Sequence, residues 1–340
     1  MKKKKLFLLL ALMAVAAVAM TACAGEQGPA GPEGPPGPAG PAGPAGADGA
    51  DGAAGVAAEV ELACSECHDD TSLIGGKVTA WEESLHGTNE SYGRGTSSGC
   101  AGCHSGGGFS AMVAAGLNPG TVEAGDPEPT RQDCRTCHQV HTTYTSDDWA
   151  LETTDAVDLY AFEGVTYDGG KGNLCANCHQ ARRPIEDAVD GQREITSTHW
   201  GPHHGPQANM MLGTGGAGEV EGKPGAHYSM VEDTCVACHA GSHTFEADIA
   251  SCQGCHADIE DADFSGLQTD VQAMLDELKE GLIALGYLDE EGHPVVSAGP
   301  AAEVSAAWNY VYIAIEDGSL GVHNPAYTKA LLQASLDALP

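Results

Sequence analysis

The feature that most constrains this chain is the pattern Cys-x-x-Cys-His, which recurs six times in its middle part. The six occurrences are Cys64/Cys67/His68, Cys100/Cys103/His104, Cys134/Cys137/His138, Cys175/Cys178/His179, Cys235/Cys238/His239 and Cys252/Cys255/His256. Twelve of the 13 cysteines are used in this way. Six repeats exclude coincidence, so the fold has to be built around whatever these side chains bind.

The spacing within the motif is that of c-type haem attachment. Two thiols three residues apart lie on one helical turn, where each adds to one vinyl group of a haem and the next residue faces the iron. Zinc ribbons and redox Cys-x-x-Cys pairs use similar spacings, but neither needs a histidine after every second cysteine. The sequence therefore predicts six covalently attached haem c groups, with six proximal histidines on the irons.

Each iron also needs a second axial ligand, and nine of the 15 histidines remain for that role. This surplus predicts bis-histidine iron, which gives low-potential haems suited to passing electrons; methionine would raise the potential, and an open position would indicate catalysis. We interpret His293, in the polar turn 290–294, as a loop residue. The candidate distal ligands, with at most two from the cluster 199–204, are His86, His141, His199, His203, His204, His227, His243 and His323.

Composition supports a core built on haem. Aromatic residues make up 5% of the chain, whereas 46 glycines and 18 prolines favour loops and turns. The motifs are so close together that neighbouring haem macrocycles must touch or nearly touch. Covalent attachment to haem then cross-links a loop-rich chain and stabilises it. We expect a mainly α fold with extensive loops, in which a covalent haem chain forms the core of a six-haem domain at 58–262.

Beyond residue 262 the pattern becomes helical. Apolar residues recur at steps of three and four from Leu267 to Leu285, which predicts an amphipathic helix. Further helices are predicted within 301–315 and 327–339. We expect a C-terminal helical segment, 263–340, packed on the haem domain. Its aromatic side chains fit two alternatives, packing within the segment or packing on porphyrin faces.

The N-terminus has the plan of a signal peptide. Four lysines precede an apolar run of about 15 residues, which is short for a membrane span. The tetrapeptide 20–23 resembles the lipobox of bacterial lipoproteins, which implies cleavage after residue 22 and a diacylated Cys23 at the start of a lipid-anchored segment 23–27. An uncleaved anchor helix is the alternative. Ala24 favours export to the outer membrane, on its periplasmic face or at the cell surface.

A collagen-like repeat follows the anchor. Glycine occupies every third position from Gly28 to Gly55, with prolines between, as in chains that adopt polyproline II. We expect a stalk at 28–57. A homotrimer and a monomeric spacer remain equal alternatives.

Charge restricts the partners. The net charge of −33 falls further when the four lysines of the signal peptide are removed. Such a surface excludes nucleic acid and attracts cationic redox proteins, metal ions or mineral surfaces. Arg182 and Arg183, just after the fourth motif, are candidates for pairing with haem propionates, with ordinary surface positions as the alternative.

These motifs resemble those of outer-surface multihaem c-type cytochromes of metal-respiring bacteria. The segments 306–310 and 321–325 are also similar to the C-terminal helices of the superfamily containing ammonia-forming cytochrome c nitrite reductase. That resemblance implies a distal-ligand role for His323. Such reductases usually carry a Cys-x-x-Cys-Lys motif at the catalytic haem, which this sequence lacks, so nitrite reduction is not expected.

Two functions follow as hypotheses. The first is electron transfer along six bis-histidine haems towards an extracellular or periplasmic acceptor, without catalysis. The alternative is a multihaem reductase of a nitrogen or sulfur oxyanion, with one open haem site. A subunit of a stacked cytochrome filament is a third, weaker hypothesis, because a lipid anchor and a stalk would tie each copy to a membrane.

Overall fold

The computed structural model describes residues 72–203 and 205–340. The signal peptide, Cys23, the collagen-like repeat, the first motif (Cys64, Cys67 and His68) and His204 lie outside the described residues. The predictions for them stay predictions. In the described part, helices predominate and strands are few and short, which confirms a mainly α fold.

Helices between residues 72 and 256 are short, and most of the chain between them is loop. The α-helices there are Ser72–Glu83, Leu85–Thr88, Ser98–His104, Gly106–Ala114, Cys134–Cys137, Asn173–Ala176, Gln207–Leu212, Ala226–Met230, Cys235–His239 and Ile249–Cys252. Short 3₁₀-helices at Glu90–Thr96, Ser146–Trp149 and Gly170–Gly172 join them. This is the loop-rich architecture expected from the glycine and proline content.

Strands form two small antiparallel pairs. Val157–Asp158 pairs with Thr166–Tyr167. Gln192–Ile195 pairs with Ser297–Pro300, so that Ile195 lies opposite Ser297. The second pair connects the loop after the fourth motif to the C-terminal helices.

The C-terminal helices are longer and contain the largest apolar core. After a 3₁₀ turn at Phe264–Gly266, they are Leu267–Ala284, Ala301–Tyr310 and Pro325–Asp337. The first confirms the helix predicted from its apolar spacing, and its buried face consists of Val271, Leu275, Leu278 and Leu282, each at most 1% exposed. The second continues directly into a π-helix, Val311–Asp317, which the sequence did not predict.

Aromatic side chains of this segment pack on polypeptide. The Trp308 ring lies edge-on to Trp200 with ring centroids 5.0 Å apart, and its indole N–H donates to the Gly215 carbonyl at 2.9 Å. The Tyr312 hydroxyl donates to the Thr214 carbonyl at 2.7 Å. Both Trp308 and Tyr312 are fully buried, and these partners lie in the stretch 200–215, outside the C-terminal segment.

Between residues 72 and 262 the apolar clusters are smaller. One contains Phe109, Met112 and Leu174, and another surrounds Tyr167 and Leu159. None of the helices in the described ranges combines the length and the apolarity needed to cross a membrane.

Candidate functional site

Each described Cys-x-x-Cys-His motif is wound into a single helical turn. The backbone N–H of His138 donates to the Cys134 carbonyl at 2.9 Å, and that of His256 donates to the Cys252 carbonyl at 2.8 Å. A turn of this kind brings both thiols and the histidine to one side of the backbone. The ten cysteines of these five motifs are free thiols, so both attachment points of every described motif are present.

Two of these thiols are more exposed than the others. Cys134 and Cys255 are exposed, whereas the other eight thiols are half-buried. Cys255 lies beyond the end of the helix Ile249–Cys252, in a surface turn with the exposed residues Gln253 and Gly254. Its role in holding a haem stays a prediction, and the haem edge bound there would face solvent.

The proximal histidines of these motifs all face a second histidine. The ring centroids are separated by 6.3 Å for His104–His203, 6.4 Å for His138–His243, 6.2 Å for His179–His86, 6.3 Å for His239–His323 and 6.3 Å for His256–His227. Five described motifs thus have five different partners. The partners come from the set predicted as distal ligands.

The separation is the one expected for two imidazoles on opposite sides of one metal ion. A metal–nitrogen bond to histidine is about 2 Å long, so two such ligands hold their nitrogens about 4 Å and their ring centres about 6 Å apart. A haem brings its own ring nitrogens, so two imidazoles are all the iron needs from the chain. The five pairs fit a haem iron between each pair of rings.

A cavity at one of the pairs has a lining that suits a haem. It lies beside His104 and His203, and its wall includes the thiols of Cys100 and Cys103 and the side chain of Arg182. These are the groups that would bind the iron, the vinyl carbons and a propionate of one haem. Arg182 therefore fits the propionate hypothesis at this site.

Arg183 has partners of its own. It donates to the Gly201 carbonyl at 3.0 Å and lies 3.8 Å from the carboxylate of Glu186. These contacts belong to a structural arginine near the surface, the alternative left open by the sequence.

Local backbone geometry explains how the distal histidines reach their partners. His203 and His243 have φ values of 73° and 66°, the left-handed region that is costly for residues with a side chain. His86 lies in the helix Leu85–Thr88, whose N-terminus is capped by the Ser84 hydroxyl accepting from Gly87 N–H at 3.1 Å. At Gly87 a Cβ atom would lie 2.2 Å from the Trp81 carbonyl oxygen, so only glycine fits.

Several of these imidazoles have Nδ1 engaged by a hydrogen-bond acceptor. The acceptors are the Trp149 carbonyl for His138 (2.8 Å), Gln207 Oε1 for His179 (3.0 Å), the Val322 carbonyl for His227 (2.7 Å), the Phe245 carbonyl for His239 (2.9 Å) and Asp317 Oδ1 for His323 (2.7 Å). Such a contact fixes the proton on Nδ1 and leaves the lone pair on Nε2, as is usual for histidines that bind metals. At His243 the neighbour of Nδ1 is instead the Lys77 ammonium, at 3.2 Å.

Burial affects the titration of two distal histidines. Burial, aided by the charge of His179, lowers the pKa of His86 to about 4, which keeps this imidazole neutral and able to bind a metal. At His323 burial also acts to lower the pKa, but the charge and hydrogen bond of Asp317 outweigh it and the pKa is raised.

Contacts between cysteines show which motifs are neighbours. The thiols of Cys103 and Cys178 are close enough that Cys103 raises the pKa of Cys178, and Cys235 likewise raises the pKa of Cys175. Cys137 lies close enough to Cys175 to affect its pKa. The fourth motif therefore adjoins the second, third and fifth motifs. A similar influence between Cys252 and Cys238 links the sixth motif to the fifth.

Three other histidines do not belong to these five pairs. His199 is exposed, and its Nδ1 contacts the Thr198 hydroxyl at 3.3 Å. His141 is exposed and stacks on Tyr144 with ring centroids 5.5 Å apart. His293 is exposed and lies 3.4 Å from Asp289, as expected for a loop residue.

Sequence reasoning did not identify the groups behind the histidines. Gln207, Asp317 and Lys77 contact Nδ1 of a paired imidazole but belong to no Cys-x-x-Cys-His pattern. Only the fold brings them to the site. A faint signal existed for Asp317 alone, since it precedes the glycine-bounded loop that contains His323.

Comparisons with known proteins add no relative. No family model matches the chain, and no curated protein or solved structure matches it. In the ranges 72–203 and 205–340, no group of three or more His, Cys, Asp and Glu side chains is arranged to hold a metal ion.

Proposed function

We propose that the protein is a hexahaem c-type cytochrome that transfers electrons and is not itself an enzyme. The observation that carries the proposal is that every described proximal histidine faces a second histidine at 6.2–6.4 Å between ring centroids. Irons with two imidazole ligands have no free position for a substrate, so they exchange electrons and do no substrate chemistry.

The chain's own residues would do three things. Paired thiols would hold each haem covalently, and paired imidazoles would hold the iron in one low-potential state. The acceptors on Nδ1 would fix the orientation of the imidazoles. Haem itself supplies the reversible one-electron change of the iron.

Contacts between motifs support a branched haem arrangement. The fourth motif adjoins the second, third and fifth through Cys178, Cys137 and Cys235, and the sixth adjoins the fifth. Electrons entering at any of these haems would therefore have a short route to the fourth. Exposure at Cys255 would give the sixth haem an edge at the surface, where a partner could exchange electrons with it. The haem of the first motif, which lies outside the described residues, would extend this network.

The surroundings of the protein follow from its charge and its N-terminus. With a net charge of −33, cationic redox proteins, metal ions and mineral surfaces are favoured as partners. A lipid on Cys23 and the collagen-like stalk would hold the haem domain away from the outer membrane, on its periplasmic or external side. The stalk would leave the protein either monomeric or trimeric. In both cases it would belong to the multihaem cytochromes that its motifs resemble.

The test is a haem count combined with an electron paramagnetic resonance spectrum of the oxidised, fully matured protein. We expect six haems per chain by absorbance of the pyridine derivative, all of them low-spin. One high-spin haem that binds added ligands would support the reductase alternative. Fewer than six haems would contradict the attachment of a haem at every motif.

A further inference from the structure

One paired histidine has a charged hydrogen-bond acceptor. The Asp317 carboxylate accepts from Nδ1 of His323 at 2.7 Å, and the Asp317 side chain is fully buried. At His138, His227 and His239 the acceptors are backbone carbonyls, and at His179 the acceptor is a side-chain amide. A buried negative charge therefore distinguishes His323 from these four.

The fold holds this carboxylate firmly. Asp317 is the last residue of the π-helix Val311–Asp317, which ends at Gly318 with φ 67°. Its second oxygen, Oδ2, accepts from the Ser319 hydroxyl at 2.5 Å and from the Ser319 N–H at 3.3 Å. Both oxygens have fixed partners, so the charge cannot turn away from His323. π-Helical turns of this kind are frequent at functional sites.

The charge is also weakly screened. Among residues 72–203 and 205–340, no lysine or arginine forms an ion pair with Asp317; its ionic contact is with His323. A buried carboxylate without a basic counter-ion acts on its neighbour through a medium of low dielectric constant, where Coulomb interactions are stronger than in water.

The backbone at Asp317 also helps to hold the neutral acceptor of the fourth motif. Gln207 bonds His179 Nδ1 through its amide oxygen and donates from its amide nitrogen to the Asp317 carbonyl at 3.3 Å. One stretch of backbone thus positions a neutral acceptor on the fourth motif and a charged one on the fifth. The Cys235 thiol lies close enough to Cys175 to raise its pKa, so these two sites are also neighbours.

We propose that Asp317 is a positioning residue that lowers the reduction potential of the haem attached at Cys235 and Cys238, making it harder to reduce than its neighbour on the fourth motif. This inference rests on the proposed function. A carboxylate that takes a strong hydrogen bond from Nδ1–H makes the imidazole a better electron donor at Nε2, which stabilises the ferric iron. A neutral amide oxygen does so less.

Asp317→Asn tests the inference because it removes the charge and keeps the shape. In the full-length matured protein, a spectroelectrochemical titration should show one haem shifted upward by about 59 mV or more, a tenfold change in a one-electron equilibrium. The haem count and the low-spin signals should stay as in the wild type, because His323 remains on the iron. Asp317→Glu, which restores a carboxylate, should bring the potential back down.

The chain offers a matched control in Asp289. Its carboxylate lies 3.4 Å from His293 Nδ1, an aspartate–histidine contact at an exposed loop residue outside the five pairs. Asp289→Asn should leave the whole titration unchanged. A shift of equal size in that variant would mean that surface charge alone moves the potentials, and the inference would be wrong.

The outcomes separate this inference from the proposed function. Six low-spin haems with an unchanged titration in Asp317→Asn would overturn the role of Asp317 and leave the proposed function intact. Wild-type protein without those haems would overturn both. If Asp317→Asn does not fold, Gln207→Glu decides: it gives His179 Nδ1 a carboxylate acceptor in place of the amide oxygen, so the potential of the haem on the fourth motif should fall. An unchanged titration in that variant would refute the inference.

Discussion

At the scale of single residues, the candidate proximal histidines can be identified from the sequence, and the histidines that they face cannot. A histidine directly after a Cys-x-x-Cys pair is identified by covalent spacing. His86 meets His179, and His104 meets His203, only because loops bring distant segments together. Likewise the left-handed backbone at His203 and His243 has no sequence signature such as glycine would give. Spacing therefore identifies the candidates, and only the fold selects among them.

Replacing a distal histidine by methionine should raise the potential of one haem. For His86→Met we expect an upward shift at the haem of the fourth motif with all six haems still attached, because thioether ligation favours ferrous iron over ferric. Redox titration followed by visible absorbance measures this. His293→Met, at an exposed position, is the control, and equal shifts in both variants would contradict the assignment of His86.

At the scale of elements, helices with a regular apolar stripe were predictable and the short ones were not. The stripe of Leu267–Ala284 is visible in the sequence because its buried face repeats every three or four residues. Helices such as Cys134–Cys137 have a single turn, too short for periodicity to reveal and too short to be stable alone. Their conformation therefore depends on tertiary contacts.

The buried stripe should dominate the stability of the C-terminal segment. Leu278→Ala removes a fully buried side chain and should lower the free energy of unfolding by about 2–5 kcal/mol, through lost burial and a residual cavity. Chemical denaturation followed by circular dichroism measures the change. Leu285→Ala, at a position 37% exposed, should cost much less; comparable losses would place the core elsewhere.

The start of the same helix should respond to pH. Hydrogen bonds from the Thr269 side chain and from the backbone N–H groups of Thr269 and Gln268 lower the pKa of Asp263. A lowered folded pKa means that the stabilisation is present above the unfolded value of about 3.9 and is lost as pH falls through the folded pKa. Melting curves of Asp263→Asn and wild type should differ at pH 7 and converge at about pH 2, below the usual carboxyl range; a constant difference would argue against a charged cap.

At the scale of the whole molecule, net charge governs how fast the protein meets charged redox partners. A chain at −33 attracts small cations and repels anions over roughly a Debye length, about 10 Å at 0.1 M salt. Stopped-flow mixing of the reduced protein with hexaammineruthenium(III) should give a rate that falls as salt is added, whereas ferricyanide should react faster with added salt. Identical salt dependence for the two mediators would mean that electrons leave through a locally neutral surface.

The histidine pairs also make the chain hard to take apart. Each pair closes a loop of the chain, and the five loops run over 86–179, 104–203, 138–243, 227–256 and 239–323. Every loop begins before the previous one ends. With an iron in every pair, these interleaved loops leave no peptide bond between residues 86 and 323 whose hydrolysis alone would separate the two halves. A protein nicked once there would travel as one particle until its irons lost their ligands.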